Sequence, residues 1–159
     1  MGRPKEHGAR SAAALLLSGR AMSSSAVVVK LMAKGYPEGE AREAAEYMAE
    51  IGALDDEGYA RSRCEIFAAK GWGPARIKNE LIARGVGREL AGQAVDEQEF
   101  PVEPLVDFAR RSLKDRRPGQ AELRRVSDAL YRRGHSWDMI HTVISEIMNG
   151  LDEDDEGDE

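Results

Sequence analysis

Cysteine is nearly missing from this chain. Cys64 is the only one among 159 residues, which excludes an intrachain disulfide framework and a cysteine cluster of zinc-binding spacing. Aromatic residues make up only 6%. Strand signals are also scarce: Val27–Val29 is a β-branched run, but it sits inside a stretch of helical period. Long apolar runs are absent. Ala12–Leu17 and Ala26–Val29 are far too short to cross a bilayer, and Ala12–Leu17, behind Arg3, Lys5 and Arg10, is short for a secretory signal. The expectation is a cytoplasmic chain with no membrane partner. Nor is there a phosphate-binding loop, because Gly71-Trp-Gly73-Pro74 lacks the Lys-Ser/Thr and the preceding strand of a P-loop.

Alanine, leucine, glutamate and arginine dominate instead. Apolar residues make up 42% and charged residues 33%, a balance that suits solvated helices better than one thick core. The formal charge of −6 conceals a division. The last nine residues carry seven acids and no base, and residues 1–150 are left at +1. The folded part is therefore near neutral, and residues 150–159 are expected to form a disordered acidic tail.

A repeat emerges from three turns. Leu31-Met-Ala-Lys34-Gly35, Leu81-Ile-Ala-Arg84-Gly85 and Leu130-Tyr-Arg-Arg133-Gly134 share the pattern Leu-x-x-Lys/Arg-Gly, and their glycines lie 50 and 49 residues apart. Each reads as a helix end, with a cation facing the dipole and a glycine able to take the left-handed cap. Val27, Ile77 and Val126 precede the three leucines by four residues, giving one apolar stripe per copy. After the glycines, Ala41/Ala91/Ile140, Ala44/Ala94/Val143 and Ala45/Val95/Ile144 recur at i, i+3, i+4, the buried face of a third helix. Before the turns, Tyr59-Ala60 matches Phe108-Ala109 and Cys64 matches Leu113. The fold expected is all-α, three tandem three-helix repeats with a period of about 50 residues. Its parts are a flexible N-terminus (1–11), repeats over 12–53, 54–100 and 101–149, and the tail (150–159).

The boundaries have physical causes. Leu54-Asp55-Asp56-Glu57 reads as a helix start, with an aspartate cap and Leu54 stapling onto Tyr59. Gly73-Pro74 and Tyr36-Pro37 open helices with proline at the first position. Phe100-Pro101-Val-Glu-Pro104 separates copies two and three, and Arg117-Pro118-Gly119 is expected to end the first helix of copy three.

The stretch from Leu54-Asp-Asp-Glu-Gly-Tyr59-Ala60 through Lys70-Gly71-Trp72-Gly73-Pro74-Ala-Arg76-Ile77-Lys-Asn-Glu80-Leu81 resembles the central repeat of the bacterial RecX family. Ala109-Arg110 through Leu130-Tyr-Arg-Arg133-Gly134 is similar to that family's third repeat, and the similarity covers roughly residues 12–149. Copy one departs from it, with Met22-Ser-Ser-Ser-Ala26 where the family usually opens the second helix with charge. The resemblance implies three tandem repeats in an extended, curved arrangement. It further implies a non-enzymatic, monomeric regulator that binds the filament of the RecA recombinase and restrains its ATP hydrolysis, strand exchange and role in the SOS response.

The basic residues are the candidate contacts. Residues 110–133 hold nine cations (Arg110, Arg111, Lys114, Arg116, Arg117, Arg124, Arg125, Arg132 and Arg133) against Asp115, Glu122 and Asp128, a net +6 within 24 residues. On one continuous helix, Arg110, Lys114 and Arg117 would form a stripe at i, i+4, i+7, suited to a phosphate backbone or an acidic protein groove. The arginine fork favours carboxylates and phosphates. Copy two offers a weaker patch of Lys70, Trp72, Arg76, Lys78 and Arg84, in which Glu80 is placed to pair with Arg84. Trp72 reads either as an exposed anchor or as a plug between helices. No residue is expected to be catalytic or to hold a metal or cofactor. Asp55-Asp56 reads as capping, His135 and His141 are six apart across a cap, and Cys64 reads as core.

A second class of function, a helical DNA-binding module acting without RecA through single- or double-stranded DNA, stays open on the same basic faces. A scaffold of the tetratricopeptide type is disfavoured by the repeat length, since such repeats run to about 34 residues.

Overall fold

The computed structural model describes residues 8–114 and 117–156, and for 154–156 the backbone alone. Asp115, Arg116, the first seven residues and the last three lie outside the described residues. Within them there are nine helices and no strand: α1 (Ala9–Gly19), α2 (Ser24–Ala33), α3 (Glu38–Glu50), α4 (Asp56–Ala69), α5 (Pro74–Ala83), α6 (Arg88–Glu97), α7 (Glu103–Leu113), α8 (Gln120–Arg132) and α9 (Trp137–Glu156). They fall into the three sets of three that the period predicts.

The expected stripes are the buried ones except at Val95 and Ile144, which are half-buried. Val27, Ile77 and Val126 are buried in the second helices together with Leu31, Leu81 and Leu130, as are Ala41, Ala91 and Ile140 in the third. Ala60, Ala109, Cys64 and Leu113 are buried at the matching places of α4 and α7. Burying such side chains is worth about 1.5–3 kcal/mol each for the larger aliphatics.

The three repeated turns share one hydrogen-bonding scheme. The amide following each glycine donates to the carbonyl of the motif leucine: Tyr36 to Leu31 at 3.1 Å, Val86 to Leu81 at 3.0 Å and His135 to Leu130 at 3.2 Å. Gly35, Gly85 and Gly134 take φ of 91°, 91° and 94°, the left-handed conformation that a side chain would strain. Gly52 and Gly71 close α3 and α4 in the same conformation.

The chain packs as two compact units. Unit 1 takes the residues up to Cys64 together with Asn79–Val95, and unit 2 takes Glu65–Lys78 and the residues from Asp96 on. In unit 1, α1, α2 and α3 pack on one another around Ala13, Val27, Leu31, Ala44 and Met48. In unit 2, α7, α8 and α9 enclose Leu105, Ala109, Val126, Leu130, Val143 and Ile147.

Several boundaries differ from expectation. α1 begins at Ala9, inside the segment 1–11 expected to be loose. Pro37 is the residue before α3, with an extended ψ of 150°, and does not occupy its first turn. α7 stops at Leu113, well short of Arg117, because Lys114 turns left-handed at φ 56°. Arg110, Lys114 and Arg117 therefore do not share one helical face, and the expected stripe on α7 is corrected. The segment expected as an unstructured tail continues α9 through Glu156. Half-buried Leu151 packs against the unit 2 core there, and Asp152 pairs with Arg117 at 2.6 Å.

Candidate partner-binding surface

Two turns meet in unit 2 and position the basic residues. The first four amides of a helix lack partners within it, and the last carbonyls do likewise. At the start of α5 these needs are met by the end of α8: Gly73 N donates to Arg133 O at 2.6 Å and Ala75 N to Gly134 O at 3.1 Å. The positive end of one helix dipole thus meets the negative end of another. The approach is possible only without side chains. A Cβ on Gly73 would run into the Gly134 carbonyl and His135 N, and one on Gly134 would lie 2.5 Å from Arg76 N.

His135 ties the two turns together. It is buried, and its Nε2 lies 3.0 Å from the Gly71 carbonyl, so Nε2–H is the donor. Its Nδ1 has no hydrogen-bond partner among the described residues. Burial pushes its pKa below the usual 6.5, the Gly71 carbonyl opposes that shift, and the Arg133 charge adds to it.

Around this junction the copy-two patch takes a layered form. Trp72 stacks on Phe67 with ring centroids 4.5 Å apart, and the Arg76 guanidinium lies 3.7 Å from the Trp72 centroid. Trp72 is half-buried, so it is a filled layer whose outer neighbour is a cation. Lys70 is exposed, 5.8 Å from the Phe67 ring. Lys78 is exposed further along α5. Arg84 belongs to unit 1, whereas Lys70, Trp72, Arg76 and Lys78 belong to unit 2. It donates to the Tyr59 hydroxyl and to Glu80 at 3.0 Å, and these partners hold it more firmly protonated than an ordinary arginine.

In copy three, Arg110 and Arg111 are exposed on α7, and Arg124, Arg125 and Arg132 on α8. Arg125 and Arg132 are seven residues apart and share a face of α8, which carries the basic stripe that α7 does not. Lys114 and Arg125 line one hollow of about 450 Å³ with Glu122. Arg133 is half-buried, its guanidinium 4.0 Å above the Phe108 ring. Apart from Arg117, none of the described cations in this cluster has a carboxylate partner among the described residues.

Three contributors escaped the sequence reading. Ser23 is buried, caps α2 through Ala26 N at 3.1 Å and donates to Arg84 O at 2.6 Å. Asp55 caps its own helix through Gly58 N at 3.1 Å, as expected, but Asp56 caps α2 through Ser24 N at 2.7 Å. His135 occupies the slot that Tyr36 and Val86 hold in the other copies; that alignment was the available sign that it belongs inside. Among the described residues no group of three or more His, Cys, Asp or Glu could hold a metal ion.

Comparison with known proteins bears on this arrangement. A family model described as the second three-helix domain of RecX matches residues 55–95. A curated relative from Stenotrophomonas maltophilia strain R551-3, named regulatory protein RecX, is 31% identical over 140 residues, covering 87% of this chain and 86% of its own. A protein of the same name from Trichlorobacter lovleyi is 32% identical over 141 residues, covering 84% and 91%. The crystal structure of RecX from Lactobacillus salivarius superposes with a TM-score of 0.82 over 87% of this chain and 94% of that one, at 23% identity, and so shows a shared fold.

Proposed function

Because the chain belongs to the RecX family of regulatory proteins, we propose that it binds the filament of the RecA recombinase in the cytoplasm and restrains it. It does so without a reaction of its own. Helices lodged along the filament groove hinder filament growth, ATP turnover and access of the second DNA. The contacts are the basic residues of copy three (Arg110, Arg111, Lys114, Arg117, Arg124, Arg125, Arg132, Arg133) and the copy-two residues Lys70, Trp72, Arg76 and Lys78. Arg84, satisfied within unit 1, is the weakest member of the proposed set.

The supporting observation is the set of cations on unit 2, Arg117 apart, that have no carboxylate partner among the described residues, Arg125 and Arg132 above all. Charges left without carboxylates are free to meet an acidic groove or a phosphate without first breaking an ion pair. The test is RecA's single-stranded-DNA-dependent ATP hydrolysis with this protein added at substoichiometric and then equal amounts. A graded loss of turnover is expected, and unchanged hydrolysis would count against the proposal.

One observation favours a second reading, DNA binding without RecA. Tyr131 and Trp137 stack on each other at 4.9 Å and are both more than half exposed, with Arg132 between them in sequence. Exposed aromatics beside arginine suit single-stranded DNA. Such binding would collapse as salt rises, whereas the filament contact would persist better.

A further inference from the structure

We propose that unit 1 carries a docking hollow for an acidic peptide segment with an apolar anchor, supplied by a partner protein. The site lies within unit 1 and, Arg84 apart, shares no residue with the contacts proposed above.

The hollow measures about 460 Å³ and is formed by the start of α2, the first turns of α4 and the α5–α6 turn. Four cations line it, Arg20, Lys30, Arg63 and Arg84, and no acid does. Arg84 is committed to Tyr59 and Glu80. Arg20 and Lys30 have no ion pair among the described residues, and Arg63 rests 5.6 Å from the Tyr59 ring centroid. Three positive groups therefore face one concavity with little to neutralise them.

The rest of the lining is apolar. Met22, Ala26 and Val29 contribute to it, and Val29 is 65% exposed although its helix buries Val27 and Leu31. On the other side of Val29 lies a second hollow of about 400 Å³, lined by Val28, Met32, Ala45 and Ala49 among others. Met32 is 43% exposed. Val29 thus forms an apolar ridge between two hollows, one of them rimmed by cations.

Charge and shape together select the occupant. Carboxylates answer the Arg20, Lys30 and Arg63 side, with arginine able to bind them by two parallel hydrogen bonds. Aliphatic or aromatic side chains answer the Val29 and Met32 side. A nucleic acid fits less well, because its bases need stacking platforms. The single aromatic here, Tyr59, already has Arg63 over its ring and Arg84 on its hydroxyl. The occupant is a peptide in which aspartate or glutamate alternates with leucine or phenylalanine.

Fluorescence anisotropy on the full chain tests this. The probe is a short labelled peptide alternating aspartate with leucine and phenylalanine; an all-glutamate peptide and an oligothymidylate serve as competitors. Arg20→Glu with Lys30→Glu is expected to weaken the probe by roughly tenfold or more, and Val29→Ser by a few-fold. Arg20→Gln with Lys30→Gln replaces the reversal if the melting curve moves. Weak competition by both competitors supports the peptide assignment. Variants that bind like the parent chain, or an oligothymidylate that displaces the probe as readily as unlabelled probe does, would overturn it.

Discussion

Two junctions in this molecule stand 50 residues apart in the chain and solve one problem with different chemistry. In unit 1 the start of α2 meets the Arg84-Gly85 turn, and in unit 2 the start of α5 meets the Arg133-Gly134 turn. The donor to the arginine carbonyl is the Ser23 hydroxyl at 2.6 Å in the first, and the Gly73 amide at 2.6 Å in the second. A side chain spans the gap in one, and backbone touches backbone in the other.

The capping arginines diverge more sharply. Arg84 has a hydroxyl partner in Tyr59 and a carboxylate partner in Glu80. One repeat later these positions hold Phe108 and Ala129. Arg133 therefore rides on a phenyl ring at 4.0 Å and has no carboxylate partner among the described residues. The same helix end carries an ion-paired arginine in one unit and, in the other, an arginine with no carboxylate partner among the described residues. That difference is the physical basis for placing the proposed RecA contact on unit 2.

The largest expected effect comes from filling the second junction. Gly134→Ala combines left-handed strain with a collision on the Arg76 backbone and should cost about 3 kcal/mol by urea denaturation. Gly35→Ala shares the strain, with φ 91°, but has nothing within 4 Å of the new Cβ, so only about 1 kcal/mol is expected. Equal losses would mean that the backbone contact at the second junction contributes nothing.

Next comes the first junction. Ser23→Ala removes a helix cap and a buried donor together, for about 2 kcal/mol. Ser25→Ala, at an exposed neighbour, should leave the denaturation midpoint in place.

A smaller effect separates the junctions by pH. His135 has its folded pKa lowered by burial, so the unfolded chain binds the extra proton first. Its contribution is fully present above the unfolded value near 6.5 and is lost as pH falls through 6.5 towards the lower folded value. His135→Val, which installs the residue of the Val86 slot, should flatten the dependence of Tm on pH across that window. An unchanged slope would show that His135 is not the group responsible. The smallest effect is Arg84→Ala, which loses an exposed ion pair and a tyrosine contact, expected to lower stability by about 0.5 kcal/mol.

Much of this architecture was legible in the chain. The apolar stripes and the Leu-x-x-Lys/Arg-Gly ends depend on local spacing and local backbone chemistry, which sequence carries directly. The end of α7 was not legible, because Lys114 adopts a conformation usually left to glycine or asparagine and the visible breaker, Pro118, stands four residues later. The acidic end of α9 was misjudged because its helical continuation rests on Leu151 and on the pairing of Asp152 with Arg117, 35 residues away in sequence. The candidate site was legible as a set of charges but not as a geometry. That Arg84 has a carboxylate partner and Arg133, among the described residues, only a ring follows from Tyr59/Phe108 and Glu80/Ala129, pairs visible in the repeat alignment but meaningful only once helix ends and first helices are seen to meet.

The most direct test compares the two capping arginines in RecA's DNA-dependent ATP hydrolysis. Arg84→Ala should inhibit like the parent chain. Arg125→Ala, Arg132→Ala and Arg133→Ala combined, in a protein of unchanged helicity, should need roughly tenfold more protein for the same inhibition. Loss of inhibition with Arg84→Ala, or full inhibition by the triple variant, would contradict the assignment of the contact to unit 2.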